Sequence, residues 1–452
     1  MRAGIRAELL VIHTGCKDLA AKGGDMKGLC GLFRVRNIWV AVISAIVFAS
    51  WIGQPAPARA ETLTLFDALT QAMAADPSLA AASARVNAAA AGIRQAARRR
   101  NPSIGLELED FGGSGNVSGF DQAQTTLYVE QLLERGGKRE ARVGVAQSQT
   151  DANYFRREAR ALDLFKSVED AWIEALVAAA KVNLAEEQLA NATRFKADID
   201  RRVKAARDPS FAEARANTQV SQARIAVEQA LRNAHTARAT LASYWNGFPD
   251  FDLPLNALAN LNHIDDAGAS IVDADLNVLE AEQRTATARV GLQVARSYQD
   301  PTVKLGIRHL GDGDDVAVVA GFSIPLAVHD ANQDNIARAY AEQTAASLDV
   351  EALQKVRDRE VGQLRARLIT LAQEVERTGA DVIPEAERAV RLVLEGFNAG
   401  SFSYIDVIEA QRALTEARAQ RIEALKAFHL QKAALARITG RHIDVIYGYG
   451  LK

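Results

Sequence analysis

The chain has 452 residues, with 54 Lys and Arg against 56 Asp and Glu, so its formal net charge is −2 at pH 7. Its two cysteines, Cys16 and Cys30, both lie near the N-terminus, so no disulfide or thiolate metal site is expected in the rest of the chain. The nearly balanced charge argues against a nucleic-acid partner, which would favour a basic protein, and no nucleic-acid partner is expected.

The first 60 residues have the pattern of an export signal. Two arginines precede an uncharged apolar run over residues 38–52, and residues 58–60 form an Ala-Arg-Ala cleavage site. A basic region, an apolar region and such a site are typical of a secretory signal peptide. We predict a signal peptide over residues 1–60, with Met26 as a possible true start and an uncleaved anchor as the alternative. The mature chain would carry 46 basic and 53 acidic residues, a net charge of −7.

The rest of the chain contains an internal repeat. Residues 76–102 and 275–301 are Ala-rich amphipathic segments that end at Asn-Pro and Asp-Pro, at a constant offset of 199 residues. Each is followed by two strand patterns, a long helical pattern, a short break and a returning helix. A period this long indicates a duplicated half-molecule. We predict a first structural repeat over residues 61–246, an equatorial linker over 247–270, a second repeat over 271–440 and a C-terminal tail over 441–452.

Four segments alternate with period two, which predicts strands with unlike faces. They cover residues 103–111, 124–133, 302–310 and 316–326. Leu, Ile and Val occupy one face. If the strands enter a membrane, that face would meet lipid and the other would line a watery lumen, with Glu107, Glu109, Lys304 and Arg308 as lumen residues. The alternative is a soluble sheet with one solvated face.

Two long helical patterns follow the strand pairs. Residues 138–204 contain no proline and would form a helix about 100 Å long. Residues 332–398 form the second, with a kink expected at Pro384. Helices of this length must lie in a bundle of similar helices. Serine followed three residues later by an acid predicts capping boxes at the two return helices, at Ser210 with Glu213 and at Ser403 with Asp406.

Three motifs carry a resemblance to a known family. Residues 133–139 (LERGGKR) follow the second strand, residues 322–326 (FSIPL) end the fourth, and residues 397–411 (FNAGSFSYIDVIEAQ) cover the second helical turn. Together with the duplication, which spans residues 63–440, they resemble the TolC-like outer-membrane efflux family. Within that family the chain is most similar to the CzcC-type branch, which serves heavy-metal pumps.

The resemblance implies a fold class and an assembly. The protein would be mainly α with a small β part, built from a duplicated helix–strand–strand–long helix–helix unit. It would form a homotrimer with a 12-stranded outer-membrane β-barrel on an α-helical periplasmic barrel. A trimer is also the simplest closure for four strands per chain, because the smallest lipid-spanning barrels have eight.

The same resemblance implies function and partners. The chain would be the outer-membrane channel of a tripartite RND-type efflux system, a passive export duct for divalent heavy-metal cations. It would contact outer-membrane lipid, a periplasmic adaptor (membrane fusion) protein and an inner-membrane RND pump, and extend into the periplasm. One alternative is a duct of a multidrug efflux or type I secretion system. The other is a periplasmic coiled-coil adaptor or scaffold protein.

The resemblance also assigns site residues. Asp406 and Glu409, one turn apart on the second return helix, would line the periplasmic channel aperture, where three copies form carboxylate rings that attract cations. The alternative for both is ordinary N-terminal capping. Phe402 stands where some relatives carry a basic residue that helps lock the closed state, so that lock is not expected. The hairpin tips would contact the adaptor, through Asp208, Pro209, Ser210, Ala399, Gly400, Ser401 and Phe402.

We expect no catalytic, cofactor or metal site, and no enzyme activity. The seven histidines are scattered, and the sequence has no nucleophile elbow, P-loop or dinucleotide fingerprint. The Gly- and Asp-containing residues 311–315 lack the spacing of an EF-hand loop and are expected to form a hairpin loop. A metal cargo would therefore pass without a high-affinity site, driven by the pump.

Overall fold

The structure is a computed structural model that describes residues 62–261, 273–313 and 315–448. The predicted signal peptide lies outside these residues, as do parts of the predicted linker and tail. The domain boundaries therefore stay a prediction.

The described chain passes twice through one order of elements. The first unit consists of α1 (Leu65–Ala75), α2 (Pro77–Ala96), β1 (Ser103–Glu109), β2 (Gln124–Leu132), α3 (Lys138–Lys204) and α4 (Ser210–Ser243). The second consists of α5 (Ala274–Arg296), β3 (Thr302–Leu310), β4 (Asp315–Ser323), α6 (Gln333–Arg377), α7 (Ile383–Ala399) and α8 (Tyr404–Thr439), followed by α9 (Ile443–Gly448). The predicted class, mainly α with a small β part and a duplicated unit, is confirmed.

Helix α3 is the element against which most of the other helices pack. It has 67 residues, so at 1.5 Å per residue it is about 100 Å long. Helices α2, α4, α5 and α8 all pack along it. Its contact positions include many alanines, which let neighbouring helices approach closely. The largest buried cluster surrounds its middle and includes Leu162, Phe165, Val168 and Leu176, with Leu69 from α1 and Leu241 from α4.

The second long helix is interrupted where the sequence predicts a kink. A π-helical turn over Thr378–Val382 separates α6 from α7, and Pro384 lies at the start of α7. Proline has no N–H to donate to the preceding turn, and a wider turn accommodates that loss. Within residues 62–261, 273–313 and 315–448, no helix is both long enough and apolar enough to cross a membrane.

The four strands form one antiparallel sheet in the order β1-β2-β3-β4. The central pairing of β2 with β3 joins the two repeats, with Thr126 opposite Arg308 and Leu127 opposite Ile307. All helix–strand connections lie at one end of the sheet, and the two hairpin loops lie at the other. β4 ends at Ser323, before the predicted end at residue 326, because Pro325 cannot donate a ladder hydrogen bond.

Candidate functional site at the hairpin tips and on the sheet

The two turns that join paired helices lie together at one end of the bundle. Arg202, near the end of α3, donates from Nη1 to the backbone carbonyl of Phe397 at 2.9 Å. Its guanidinium also lies 4.2 Å from the centre of the Phe397 ring. From Nε it donates to Asp208 Oδ2 at 2.7 Å. One side chain thus connects the turn of the first repeat, around Asp208, to the turn of the second.

An aromatic cluster packs directly behind this contact. The Phe195 ring centre lies 5.5 Å from that of Phe397 and 5.3 Å from that of Tyr404. The cluster includes buried Ile199 and Val407. Aromatic pairs at these separations add to the free energy gained by burying apolar area. The predicted tip segments, residues 208–210 and 399–402, are therefore both adjacent to this one apolar cluster.

Asp406 closes a capping box at the start of α8. Its Oδ2 accepts hydrogen bonds from the Ser403 backbone N–H and hydroxyl, both at 2.7 Å. Its own backbone N–H donates to Ser403 Oγ at 3.4 Å. The hydroxyl hydrogen bond from Ser403 holds the pKa of Asp406 below its usual value, so this carboxylate stays charged at neutral pH. The two contacts of the carboxylate both use Oδ2 and leave Oδ1 unengaged.

Glu409 lies one helical turn further along α8 and is exposed. In the part of the chain that the structure describes, its carboxylate has no hydrogen-bond or ion-pair partner. Its position three residues after Asp406 places both carboxylates on one face of the helix. The alternative of N-terminal capping therefore explains one carboxylate oxygen of Asp406. It does not explain the other oxygen of Asp406 or the carboxylate of Glu409.

The predicted capping box of Ser210 with Glu213 is wrong. Helix α4 begins at Ser210, with Pro209 as the N-cap and no side-chain cap. A capping side chain must lie outside the helix, whereas Ser210 is already its first residue. Asp208 is not free to cap either, since both of its carboxylate oxygens accept from Arg202.

The second tip ends in a left-handed glycine. Gly400 has φ +84°, a conformation that favours glycine, and it ends α7. The chain then folds back so that the Phe402 ring lies over Gly396, where a Cβ atom would stand 2.1 Å from the ring. Phe402 remains 48% exposed. This places an apolar ring at the surface of the tip, where the sequence predicts an adaptor contact.

The four predicted lumen residues share the polar face of the sheet and are paired there. Lys304 donates to Glu107 at 2.7 Å, and Arg308 donates to Glu109 at 2.8 Å. Both ion pairs reach from β3 across β2 to β1. Arg308 also donates to Thr126 Oγ1 at 3.0 Å on the strand between. The charges of these four residues therefore cancel within one chain.

The opposite face of the sheet is apolar and uncovered. Ile104, Leu106 and Val318 are 76%, 69% and 77% exposed. Their neighbours on the same face are also exposed large apolar side chains: Leu108, Leu127, Val129, Val303, Leu305, Ile307 and Val316. A contiguous apolar surface of this kind marks contact with lipid or with another protein.

Tyr128 and Arg202 are site residues that the sequence analysis missed. The Tyr128 ring lies across the polar face between Gly105 and Gly306, where a Cβ atom would stand 2.4 Å and 2.7 Å from its side chain. Lys304 Nζ lies 3.5 Å from the ring centre. The signal that could have identified Tyr128 is the pair of glycines opposite it on the neighbouring strands. For Arg202, no local pattern distinguishes it from the neighbouring arginine.

Across residues 62–261, 273–313 and 315–448, no group of three or more His, Asp or Glu side chains could hold a metal ion. His429 is half-buried on α8 and contacts the carbonyl oxygen of Leu258 at 2.8 Å. His442 lies 3.4 Å from Glu169. Both contacts lie in the packed middle of the bundle, away from the tips.

The chain matches the outer membrane efflux protein family over residues 68–247 and 269–441. The chain therefore belongs to the outer membrane efflux protein family. It is 28% identical over 388 residues to the cobalt-zinc-cadmium resistance protein CzcC of Cupriavidus metallidurans, which covers 84% of this chain and 90% of that protein. It is 27% identical over 287 residues to the nickel and cobalt resistance protein CnrC of the same organism, which covers 63% of this chain and 68% of that protein.

The fold is also that of solved channels. The outer-membrane channel OprN superimposes with a TM-score of 0.66 at 16% identity, covering 86% of this chain and 98% of that one. The predicted family, fold class, efflux function and outer-membrane localisation are confirmed. The roles of the individual site residues stay predictions.

Proposed function

We propose that three copies of the chain form a passive export duct of a tripartite RND-type efflux system, with divalent heavy-metal cations as cargo. This proposal rests on the difference between the two ends of a single chain. A sheet with one apolar and one polar face lies at one end of the long helices, and two joined hairpin tips lie at the other. Such a chain has a membrane end and a partner end.

The sheet edges support the trimer. β1 and β4 are the edge strands of the described sheet, and an unpaired edge is a template for another chain. Pairing β4 of one copy with β1 of the next would close three four-stranded sheets into one cylinder of about twelve strands. The apolar face would then meet lipid, and Glu107, Glu109, Lys304 and Arg308 would face the lumen.

The acidic pair at the tips supports a cation cargo. Asp406 keeps one carboxylate oxygen unengaged, and Glu409 is exposed. Three copies would place up to about six carboxylates around one opening, which attracts cations and repels anions. The relatives CzcC and CnrC are named for resistance to cobalt, zinc and cadmium and to nickel and cobalt, so divalent metals are the cargo that we propose.

The tips would contact the periplasmic adaptor. The exposed ring of Phe402 and the turn residues Asp208, Pro209, Ser210, Ala399, Gly400 and Ser401 lie at the end of the bundle away from the sheet. An inner-membrane RND pump would supply the energy, and this chain would conduct without catalysing a reaction.

Deletion of the gene tests the function. Cells without it should lose tolerance to zinc, cobalt, cadmium or nickel salts, and the wild-type gene should restore it. Asp406→Asn with Glu409→Gln should restore tolerance only in part. The control is Asp358→Asn with Glu374→Gln, which removes two exposed charges from α6. Unchanged tolerance to all four metals would contradict the proposed cargo, and sensitivity to drugs instead would support the multidrug alternative.

Fractionation tests the location of the sheet. A membrane-inserted trimer resists extraction with alkaline carbonate, whereas a periplasmic scaffold is washed off. Release of the protein by carbonate would favour the scaffold alternative.

A further inference from the structure

The end of the sheet that adjoins the helices is strongly basic. The junction band consists of the four helix–strand connections with the first turn of α3: residues 97–102, 133–142, 297–301 and 324–332. It contains seven Lys and Arg against four Asp and Glu, a net charge of +3 in a mature chain of net charge −7. The loops at the other end of the sheet, residues 110–123 and 311–313, contain three Asp and no Lys or Arg. Positive charge is therefore concentrated at one end of the strands.

Three of the four carboxylates of the junction band pair with its own cations, and the fourth, Asp330, accepts a hydrogen bond from the backbone N–H of Asn332. Glu134 pairs with Arg142 and lies 3.7 Å from Arg100. Asp300 pairs with Lys138 at 2.7 Å, and Glu140 pairs with Arg139 at 2.8 Å. The side chains of three further arginines make no hydrogen bond or ion pair with any residue that the structure describes: Arg98, Arg99 and Arg135.

Cations of the junction band line two clefts. A cleft of about 750 Å³ is lined by Arg98, Arg99, Arg100 and Arg142 with neutral residues, and no carboxylate lines it. A second cleft of about 380 Å³ is lined by Arg99, Arg100, Lys138 and Arg139 beside Leu132 and Leu133, and also by Glu134 and Glu140, which are paired with arginines. A cleft with four guanidinium groups and no carboxylate fits an anion, and Arg binds the oxygens of phosphate in two-point contacts.

The apolar surroundings indicate which anion. Leu133 is exposed beside the cations, and Leu326 and Val328 of the same junction band are 79% and 73% exposed. The strands begin or end within a few residues of each arginine. The polar zone of a bilayer extends only about 5–8 Å beyond the hydrocarbon on each side. A phospholipid has its phosphate in this polar zone and its acyl chains directly beside it, whereas a free anion would engage only the arginines.

We infer that the junction band binds the phosphate groups of anionic phospholipids in the membrane leaflet on the helix side of the sheet. Arg98, Arg99 and Arg135 are the principal contacts, and the exposed leucines meet the first carbons of the acyl chains. The inference rests on the proposed insertion of the sheet in the membrane. Such contacts would set the depth of the sheet and oppose its tilting.

The test measures lipid preference around the whole trimer. Full-length protein is reconstituted into phosphatidylcholine vesicles that contain spin-labelled phosphatidylglycerol or spin-labelled phosphatidylcholine. The fraction of immobilised label gives the relative association constant. Each cation near an anionic surface contributes roughly fivefold to local association. Wild type should favour phosphatidylglycerol by about fivefold or more, and 0.5 M salt should reduce this preference because it screens charge.

The variant R98Q/R99Q/R135Q should lower that preference to less than about twofold. The matched control R224Q/R367Q/R391Q removes three exposed arginines from α4, α6 and α7 and should retain it. Equal association of the two lipids with wild type overturns the inference. So does loss of the preference when inorganic phosphate replaces chloride at constant ionic strength, which would indicate a site for a free anion. Dissociation of the variant into monomers would also overturn it, because the arginines would then hold neighbouring subunits.

Conductance of the same preparations separates the two proposals. A wild-type channel that conducts but shows no lipid preference overturns only this inference. A protein that does not insert overturns the proposed function together with it.

Discussion

Arg202 of α3 donates a hydrogen bond to the backbone carbonyl of Phe397 at 2.9 Å, although the two residues are 195 positions apart in the chain. The two repeats therefore meet at the tips as well as in the sheet, where β2 pairs with β3. Between these two ends, α2, α4, α5 and α8 pack along α3, and α6 packs against α5 and α8. A change at Arg202 should affect the tips and leave the sheet unaltered.

Arg202→Gln should loosen the two tips. It removes the ion pair with Asp208 and the contacts with Phe397, and hydrogen bonds to charged groups contribute about 2 kcal/mol each. We expect amide hydrogens of residues 196–215 and 392–410 to exchange roughly 30-fold faster, measured by mass spectrometry. Arg201→Gln is the control, since that side chain is 79% exposed and pairs only within its own helix. Equal exchange in the two variants would contradict a joining role for Arg202.

Ser403→Ala should raise the pKa of Asp406. The Ser403 hydroxyl lowers this pKa in the folded protein, so the capping interaction is present above the unfolded pKa and lost as the pH falls through the folded pKa. Without the hydroxyl, that loss should begin at a higher pH. The measurement is the pH at which block of single-channel current by a divalent cation is half lost. Ser401→Ala, at the neighbouring serine of the tip, should leave that pH unchanged, and an equal shift in both variants would contradict the assignment.

Lys304→Met should make the channel more selective for cations. It leaves Glu107 without its ion-pair partner, so each chain adds one uncompensated negative charge to the polar face. The reversal potential in a salt gradient should move toward the equilibrium potential of the cation. The double variant with Glu107→Leu removes both charges and should return the potential to that of wild type. No change in the single variant would place this face outside the conducting path.

Gly306→Ala should destabilise the sheet. The new Cβ atom would stand 2.7 Å from the Leu127 carbonyl oxygen and from Tyr128 Cβ, and such overpacking costs about 1–3 kcal/mol. Thermal unfolding of the detergent-solubilised protein should occur at a lower temperature. In Gly321→Ala the new atom would lie 3.4 Å from its nearest neighbour, Lys304 Cβ, so this control should unfold within experimental error of wild type. Equal melting of both variants would contradict this prediction and would show that β2 shifts enough to accommodate the new atom.

The sequence predicted site residues only where their interactions involve near neighbours in the chain. Ser403 and Asp406 were found because a capping box depends on a spacing of three residues, and the structure forms it. The matching spacing at Ser210 failed, because the helix begins one residue earlier than the pattern requires. The same reasoning could not find Arg202, since its main partner belongs to the other repeat.

The sequence by itself determined the order of elements, the two faces of each strand and the positions of the turns. Alternation of apolar and polar residues, proline and glycine all act on a few neighbouring residues, so short stretches of sequence encode those features. Only the tertiary structure decided that Lys304 pairs with Glu107 and Arg308 with Glu109 across an intervening strand, and that one arginine joins the two tips. Strand register and helix packing bring these residues together over nearly 200 positions, and no local pattern encodes a contact between groups so far apart in the chain.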